Sequence, residues 1–367
     1  MLSPLDDFPI HQVARPITVP AATDRNAYGR YWFGAFHRDG DFQIEAAFGR
    51  YPNLRVADCS LSISRDGEQH SFHASREAPA DPTDLSIGPL SLEVIEPMRH
   101  LRIVVADNET GISADLTWRA RTGALLEDHT EMTSGPTVII DMARFIQFGT
   151  WSGTVTADGV TTDVDAAQVP GVRDRSWGIR PVGERPGGRP AEHGSACWFW
   201  MPIHFDDECR TTGWFQRPGG EFWRADGHRV PVLDPVPATI EGDHPDVYRI
   251  DPVGQEVEFD AGTRRIARAR FAMQSQNGDE TLELESIHHF HMRGLGYTNP
   301  DWGHGLWKGE LAVGAEHWRF DDVDARDPFH QHLHHVVEAR VGDKSGVGLL
   351  EQIIFGPHTQ FGFTEFL

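Results

Sequence analysis

The sequence has no long apolar run and only three cysteines. No stretch approaches the roughly 18 apolar residues that a membrane-spanning helix needs. Cys59, Cys197 and Cys209 are odd in number and lack the spacing of metal ligands, so we expect free thiols in a reducing compartment. The start of the chain, Met1–Asp7, has neither a basic end nor an apolar core. This predicts no signal peptide and a cytoplasmic protein.

Positive charge is also scarce. Lysine and arginine number 33 against 55 aspartates and glutamates, which gives a formal net charge of −22. Nucleic acids and anionic membrane surfaces both reward positive patches, so neither is an expected partner. The composition favours a small-molecule partner that is neutral or is met locally by arginines. A homodimer is left open.

Several catalytic motifs are missing. There is no Gly-x-Ser-x-Gly elbow, no phosphate-binding loop, no dinucleotide fingerprint and no His-Glu-x-x-His. Nucleophilic hydrolysis, phosphoryl transfer and nicotinamide chemistry are therefore disfavoured, and we expect no cofactor and no metal. A metal site is the alternative, and it is suggested by the histidine-rich segment 330–335 together with His289 and His291. No carboxylate lies near it at a tight ligand spacing along the chain, so an exposed strand face is the preferred interpretation.

Short alternating segments separated by turn residues dominate what is present. Asp39-Gly40, Asp66-Gly67 and Asp158-Gly159 each separate two such segments, which predicts three β-hairpins. Only the region 135–148 suggests a helix. The 367 residues exceed the usual size of a single core. We therefore predict an all-β protein of two antiparallel β-barrels or sandwiches side by side, residues 1–180 and 196–367, joined by a Pro/Gly-rich linker at 181–195.

The stretch Gly171–Arg180 concentrates one acid, three arginines and one indole in ten residues. We expect Asp174 to be ionised, because neighbouring guanidinium groups lower a carboxyl pKa. Trp177 beside Gly178 predicts a point where the backbone approaches another segment closely. We interpret the stretch as a structural link between the two domains that also forms the floor of a pocket. A purely structural Arg–Asp cluster is the alternative.

Two further groups of residues are candidates for a pocket. The segment 294–307 is a glycine-rich aromatic loop in which Asp301 could orient His304 as a general acid or base. The alternative is a turn whose aromatic residues close the end of a barrel. On a strand, Trp198, Trp200 and His204 share one face and would form an aromatic wall with a polar end. Barrel core is the alternative for this second group.

The chain resembles bacterial two-domain proteins of unknown function related to the carotenoid 1,2-hydratase and AttH-like lipocalin-type superfamily. The segments that carry the resemblance span nearly the whole chain, and the fourth is the most specific: Arg30–Phe33, Phe48–Asn53, Trp151–Thr154, Arg173–Pro181 and Gly294–Gly305. The resemblance implies two lipocalin-like β-barrels with a ligand pocket near their junction. It also implies a style of catalysis that uses a shaped pocket without metal, as in isoprenoid hydratases and cyclisation enzymes.

Together these observations predict a cofactor-free lyase, either a hydro-lyase or a carbon–carbon lyase. Its substrate would be an apolar molecule, aromatic and plant-derived (lignin-type) or isoprenoid. The candidate proton-transfer residues are Asp174, His204, Asp301 and His304. The candidate substrate-binding residues are Arg175, Trp177, Arg180, Trp200, Tyr297 and Trp302. A non-catalytic carrier or sensor of a hydrophobic metabolite is the alternative, and it requires a cavity with few ionisable groups.

Overall fold

The computed structural model describes residues 1–10, 14–185, 187–188 and 195–367. Its regular structure is 23 β-strands and five short 3₁₀ helices, with no α-helix in the described part of the chain. The 3₁₀ helices are Pro4–Asp7, Met292–Leu295, Phe320–Asp322, Pro328–His330 and Thr359–Phe361. Within these same ranges, no helix is long and apolar enough to cross a membrane.

The strands of the N-terminal half are β1 Ala27–Phe36, β2 Phe42–Tyr51, β3 Val56–Arg65, β4 Glu68–Glu77, β5 Ser86–Ile87, β6 Leu90–Glu96, β7 His100–Val105, β8 Ser113–Ala120, β9 Ala124–Leu126, β10 Thr130–Ser134, β11 Thr137–Ala157, β12 Val160–Val164 and β13 Pro170–Ile179. The strands of the C-terminal half are β14 Ala196–His204, β15 Glu208–Gln216, β16 Phe222–Pro231, β17 Thr239–Ile240, β18 Tyr248–Phe259, β19 Ile266–Ser275, β20 Gly278–His291, β21 Leu311–Arg319, β22 His332–Val341 and β23 Lys344–Phe355.

The three predicted hairpins are present. β1 pairs with β2, β3 with β4 and β11 with β12, each around its Asp-Gly pair. In two of the turns both residues have positive φ, 52° and 76° at Asp66-Gly67 and 50° and 70° at Asp158-Gly159. That geometry matches the right-handed twist of the flanking strands, which is why Asp-Gly is so strong a hairpin signal.

The predicted helix at 135–148 is wrong. This region begins the 21-residue strand β11, whose first residues pair with β10. The sequence Thr137-Val-Ile-Ile140 is β-branched throughout and loses side-chain rotamers in a helix, whereas it fits a pleated sheet. Farther along, β11 pairs with β13 and β8. Tertiary pairing therefore decides the conformation of the segment.

The first domain is one 15-stranded sheet that curls into a nearly closed barrel. Its main path runs β21-β4-β3-β2-β1-β13-β11-β8-β7-β6-β5. Two of its strands, β17 and β21, come from the C-terminal half and pair with β9 and β4. After residue 196 the chain therefore returns to the first domain twice, each time for a single strand. The predicted linker 181–195 falls partly outside the described residues, at 186 and 189–194.

The second domain is a closed barrel of eight strands, in the order β14-β15-β16-β18-β19-β20-β22-β23, with β14 and β23 pairing to close it. The fold prediction, an all-β chain of two lipocalin-like barrels, is confirmed. Each barrel has its own apolar core. All three cysteines are buried and free.

A third apolar core joins the two domains. It contains Trp32 and Phe148 from the first domain and Trp200, Val336 and Leu349 from the second. Fully burying a side chain of this size contributes roughly 1.5–3 kcal/mol. The domains are thus held face to face by apolar contact, and β1, β11 and β13 of the first domain lie against β14, β22 and β23 of the second.

Candidate active site at the domain junction

The central stretch of the sequence forms strand β13, between β1 and β11. Because successive side chains on a strand point to opposite faces, its charged residues are divided between two environments. Arg173, Arg175 and Trp177 face the N-terminal segment. Asp174 and Ser176 face the second domain. The predicted cluster of one acid with three arginines is therefore two separate sites.

On the first face Arg173 forms an ion pair and Arg175 donates to backbone carbonyls. The Nη1 of Arg173 donates to Oδ1 of Asp7 at 2.7 Å, and both side chains are 0% exposed. The Nη2 of Arg175 donates to the carbonyl of Phe8 at 3.1 Å, and this guanidinium lies 4.9 Å from the centre of the Tyr31 ring. The predicted substrate-binding residues Arg175 and Trp177 lie on this face and do not line the cavity at the junction.

The second face opens on a cavity of ≈ 390 Å³ between the two domains. Strands from both barrels line it. Its apolar lining comes from Trp32, Met132, Ile140, Met142, Trp198, Trp200, Phe215, Met292, Ile353 and Phe355, and its polar lining includes Arg30, Arg144, Asp174, Ser176, Arg180, Arg224, Tyr297, Thr298, His332, His334 and Glu351. Of the ten predicted site residues, Asp174, Arg180, Trp200 and Tyr297 are brought together here.

One wall of the cavity holds Asp174 with Arg30, Arg180 and Tyr297. The Asp174 side chain makes no hydrogen bond and no ion pair within the described residues. Burial raises the pKa of Asp174, against the opposite effect of the positive charges of Arg144 and Arg30. The neighbouring arginines therefore lower the pKa of Asp174, as the sequence predicts, but removal from water outweighs them and the net pKa is raised.

The facing wall carries a histidine–glutamate network. The Nε2 of His332 donates to Oε1 of Glu351 at 2.6 Å, and Nδ1 of His334 donates to Oε1 of Glu45 at 2.8 Å. The Nε2 of His334 lies 3.7 Å from Oε1 of Glu351. Trp198 donates its indole N–H to the other oxygen of Glu351 at 3.0 Å. The network joins the two domains, since Glu45 lies on β2 and the other members lie on β14, β22 and β23.

The charges in this network are distributed unevenly. Burial alone would raise the pKa of Glu351, but His332 and His334 hold it well below its usual range. Against the lowering effect of burial, the carboxylates of Glu45 and Glu351 raise the pKa of His334 to about 10. Burial lowers the pKa of His332. At neutral pH the wall therefore presents an ionised Glu351 beside a charged His334.

Two groups of described residues have ligand atoms close enough to hold a metal ion. His332, His334 and Glu351 form one at the cavity, with their ligand atoms within 4.8 Å of one another. Glu68, His70 and His317 form the other on a more exposed part of the first domain. The histidine-rich tract is thus buried in strand β22, and the interpretation as an exposed strand face is wrong.

The predicted loop residues lie beside the cavity. His304 lines a second hollow of ≈ 420 Å³, which shares Arg30, Arg180, Tyr297 and Thr298 with the first. Burial and the nearby charge of Arg30 lower the pKa of His304 to about 4. Its acidic neighbour is Asp58 on β3, at 3.9 Å between Nδ1 and Oδ1.

Asp301 and Trp302 do not line the cavity at the junction. Asp301 is exposed, and its backbone N–H donates to Asn299. The expectation that Asp301 orients His304 is therefore replaced by the contact with Asp58. The ring of Trp302 stacks on His73 at 5.3 Å, which fits the alternative in which aromatic residues close a barrel end.

His204 lies in the core between the domains, away from the cavity lining. Its Nε2–H donates to the carbonyl of Gly171 at 3.0 Å, and its Nδ1 accepts from Arg121 at 3.2 Å. Burial, followed by the charge of Arg121, lowers the pKa of His204 to about 3. His204 is a neutral hydrogen-bonding residue that ties β13 to β14.

Sequence reasoning missed Arg30, Glu45, Arg144 and Glu351. Glu45 and Glu351 lie in strands that are otherwise largely buried, and a charge at such a position is a usable signal because unpaired charges are rarely buried. Nothing in the sequence shows that these strands lie opposite one another. His332 and His334 were noticed only as possible metal ligands.

The chain belongs to a family of unknown function (DUF8625), whose model matches residues 2–364. No curated protein sequence matches it. A candidate AttH from Nitrosomonas europaea has a similar structure, with a TM-score of 0.53 and 12% identity over 96% of this chain and 99% of that one. This likeness shows the fold.

Two further structures are similar at lower scores. Kievitone hydratase from Nectria haematococca has a TM-score of 0.49 and 15% identity over 95% of this chain and 94% of that one. CghA has a TM-score of 0.47 and 12% identity over the same shares of both chains.

Proposed function

We propose that the protein is a hydratase or another lyase that works by general acid/base chemistry on a mostly apolar, ring-containing small molecule. The observation that carries this proposal is Asp174, an acid without a hydrogen-bond partner among the described residues, facing an aromatic cavity opposite an ionised Glu351. We further infer kinship with the carotenoid 1,2-hydratase and AttH-like superfamily.

The two carboxyl groups suit two different roles. Environments that push the pKa values of two acids apart commonly separate a proton donor from an ionised partner. Burial raises the pKa of Asp174, whereas His332 and His334 keep Glu351 ionised. In hydration, Asp174 would give its proton to one carbon of a double bond while water adds to the other carbon. The proton lost by that water would pass to the His332–Glu351 pair, and dehydration would run these steps in reverse.

The remaining lining would position the substrate. Trp32, Trp198 and Trp200 offer ring faces and edges, and the Tyr297 ring on the Asp174 wall lies 4.7 Å from the ring of His332. Proton transfer by a side chain contributes typically about 10²–10⁴-fold to a rate. Orientation of the substrate within the cavity would supply the rest.

The carrier alternative is less well supported. A carrier needs an apolar cavity with few ionisable groups, and it would leave Asp174 neutralised by arginines. Here the acid makes no ion pair within the described residues, and His332, His334 and Glu351 share the cavity with it. A substrate that is bound but never converted would nevertheless favour this alternative.

The test is turnover of a panel of lignin-type aromatic dimers and isoprenoid alkenes and alcohols, followed by mass change. Asp174→Asn should lower kcat/KM about 10²–10⁴-fold on any compound that the wild type converts. Ser176→Ala is the control, because Ser176 faces the same cavity from the same strand and has no carboxyl group. Equal turnover by wild type and Asp174→Asn would remove Asp174 from the mechanism.

A further inference from the structure

Arg30 is a buried arginine whose guanidinium has no hydrogen-bond acceptor among the described residues. It is 2% exposed, lies on β1 and lines both hollows at the domain junction. Its Nη1 is buried and has no hydrogen-bond partner. Its guanidinium makes no hydrogen bond or ion pair within the described ranges of the chain. Its close contacts are aromatic: the guanidinium carbon lies 4.7 Å from the centre of the Tyr297 ring and 5.9 Å from that of Tyr28.

Arg180 is half-buried and lies in a similar setting beside the same tyrosine as Arg30. It lines the same two hollows, and its guanidinium carbon lies 5.6 Å from the centre of the Tyr28 ring. Its side chain also makes no hydrogen bond or ion pair with a described residue. Asp174 lines the first hollow with both arginines and does not form an ion pair with either of them.

The other two arginines of the cavity are satisfied by the protein. Arg144 forms an ion pair with Glu127. Arg224 donates to the carbonyl of His129 at 2.6 Å and to the hydroxyl of Thr130 at 2.8 Å. The lack of partners is therefore specific to Arg30 and Arg180. It also occurs in a chain whose acids outnumber its basic residues by 55 to 33.

A buried guanidinium without an acceptor is costly, because removal from water is not compensated by hydrogen bonds. Aromatic faces recover only part of that cost. An oxyanion placed between Arg30 and Arg180 would supply the missing acceptors. A carboxylate matches the planar, forked donors of arginine and accepts two of their hydrogen bonds at once.

We propose that Arg30 and Arg180 form a carboxylate-binding subsite, so that the ligand of this cavity is an apolar, ring-containing carboxylic acid in its anionic form. Its ring would lie toward Trp198, Trp200 and Phe215, and its carboxylate would point to the arginines where the two hollows meet. That this ligand is also the substrate rests on the proposed function. The inference that the ligand binds as an anion does not depend on the proposed function.

The experiment measures binding of 2-naphthoate, 2-naphthamide, 2-naphthol and 2-naphthyl phosphate by calorimetry at pH 7.5. The first two compounds have nearly the same shape and differ in charge. Hydrogen bonds to a charged group predict that the wild type binds the carboxylate about 10–100-fold more tightly than the amide. Arg30→Met should abolish this preference, and Arg180→Met should reduce it. Arg224→Met should leave it unchanged, because Arg224 lines the same cavity and its Nη2 already donates to His129 and Thr130.

Equal affinity of the wild type for the carboxylate and the amide would overturn the proposal, as would failure of every acid to bind. Tighter binding of the phenol or the phosphate would replace the carboxylate with that group and overturn the assignment. If Arg30→Met does not fold, the carboxylate preference of the wild type and its reduction in Arg180→Met still test whether the subsite binds a carboxylate. A carboxylate preference without turnover of any acid would contradict the proposed function alone, and turnover of neutral compounds without the preference would contradict this subsite alone.

Discussion

The two faces of strand β13 differ in how far their charged residues are paired within the protein. Toward the N-terminal segment, Arg173 forms a fully buried ion pair with Asp7, and Arg175 donates to the carbonyl of Phe8. Toward the second domain, Asp174 has no hydrogen bond within the described residues. Neighbouring positions on a single strand thus differ: one set of charged side chains is paired within the protein, and the other is left without a partner among the described residues.

The difference in pairing distinguishes charged residues that stabilise the fold from charged residues that act on a ligand. A buried charge that serves only stability must find its partner within the protein, because leaving it unpaired costs free energy. A charge that must act on a ligand is held in place while its partner is left to the ligand. The paired face of β13 fastens the N-terminal segment to the sheet. The unpaired face is where we expect chemistry.

The largest effect should come from breaking the paired face. Arg173→Met leaves the Asp7 carboxylate buried without its partner and should reduce the free energy of unfolding by about 3–5 kcal/mol. Denaturant unfolding measures it. The control is Arg268→Met, whose pair with Glu285 lies at the surface, so that its removal should change the free energy of unfolding far less. A loss for Arg173→Met no larger than that of the control would show that the two faces do not differ.

The fold could be predicted because its signals are local. Asp-Gly pairs fix the hairpin turns, and alternating side chains fix the strands, so two all-β domains follow from short segments of sequence. The importance of the stretch 171–180 was also visible, because such a density of charge is unusual in a short strand. Period-2 alternation could have shown that Asp174 and its flanking arginines face opposite ways.

The composition of the site could not be predicted, because it depends on contacts between distant segments. His334 bonds to Glu45, which lies 289 residues away in the sequence. His304 meets Asp58 and not the nearby Asp301. A search for metal ligands at close spacing missed Glu351 because β23 brings it beside β22 through sheet pairing. Spacing along one strand does not contain this information.

A second effect of intermediate size concerns the end of β13, where His204 bonds to the carbonyl of Gly171. The pKa of His204 is about 3 in the folded protein and about 6.5 in an unfolded chain. Between these two pH values His204 binds a proton only in the unfolded state. Its contribution to the free energy of unfolding is therefore fully present above about pH 6.5 and decreases as the pH falls. The slope from this residue is at most about 1.4 kcal/mol per pH unit.

Unfolding free energies of wild type and His204→Asn, measured from pH 7 to pH 4.5, check this expectation. Other buried histidines with lowered pKa values, such as His330 and His335, act in the same direction in both proteins. The variant should therefore keep part of the pH dependence and show a shallower slope. Parallel slopes would mean that His204 is protonated or exposed in the folded state.

The smallest effect on the free energy of unfolding should come from the unpaired face, and this prediction distinguishes the two faces most directly. Asp174→Asn keeps the shape of the side chain and replaces a carboxyl group, whose pKa is raised by burial, with a neutral amide. The loss of attraction to Arg144 and Arg30 opposes the relief of that burial, so the free energy of unfolding at pH 7 should change by less than about 1 kcal/mol. Ser176→Ala, on the same face, controls for altered packing. If Asp174→Asn destabilised the protein as much as Arg173→Met, Asp174 would be a paired structural residue, and both faces of β13 would serve the fold alone.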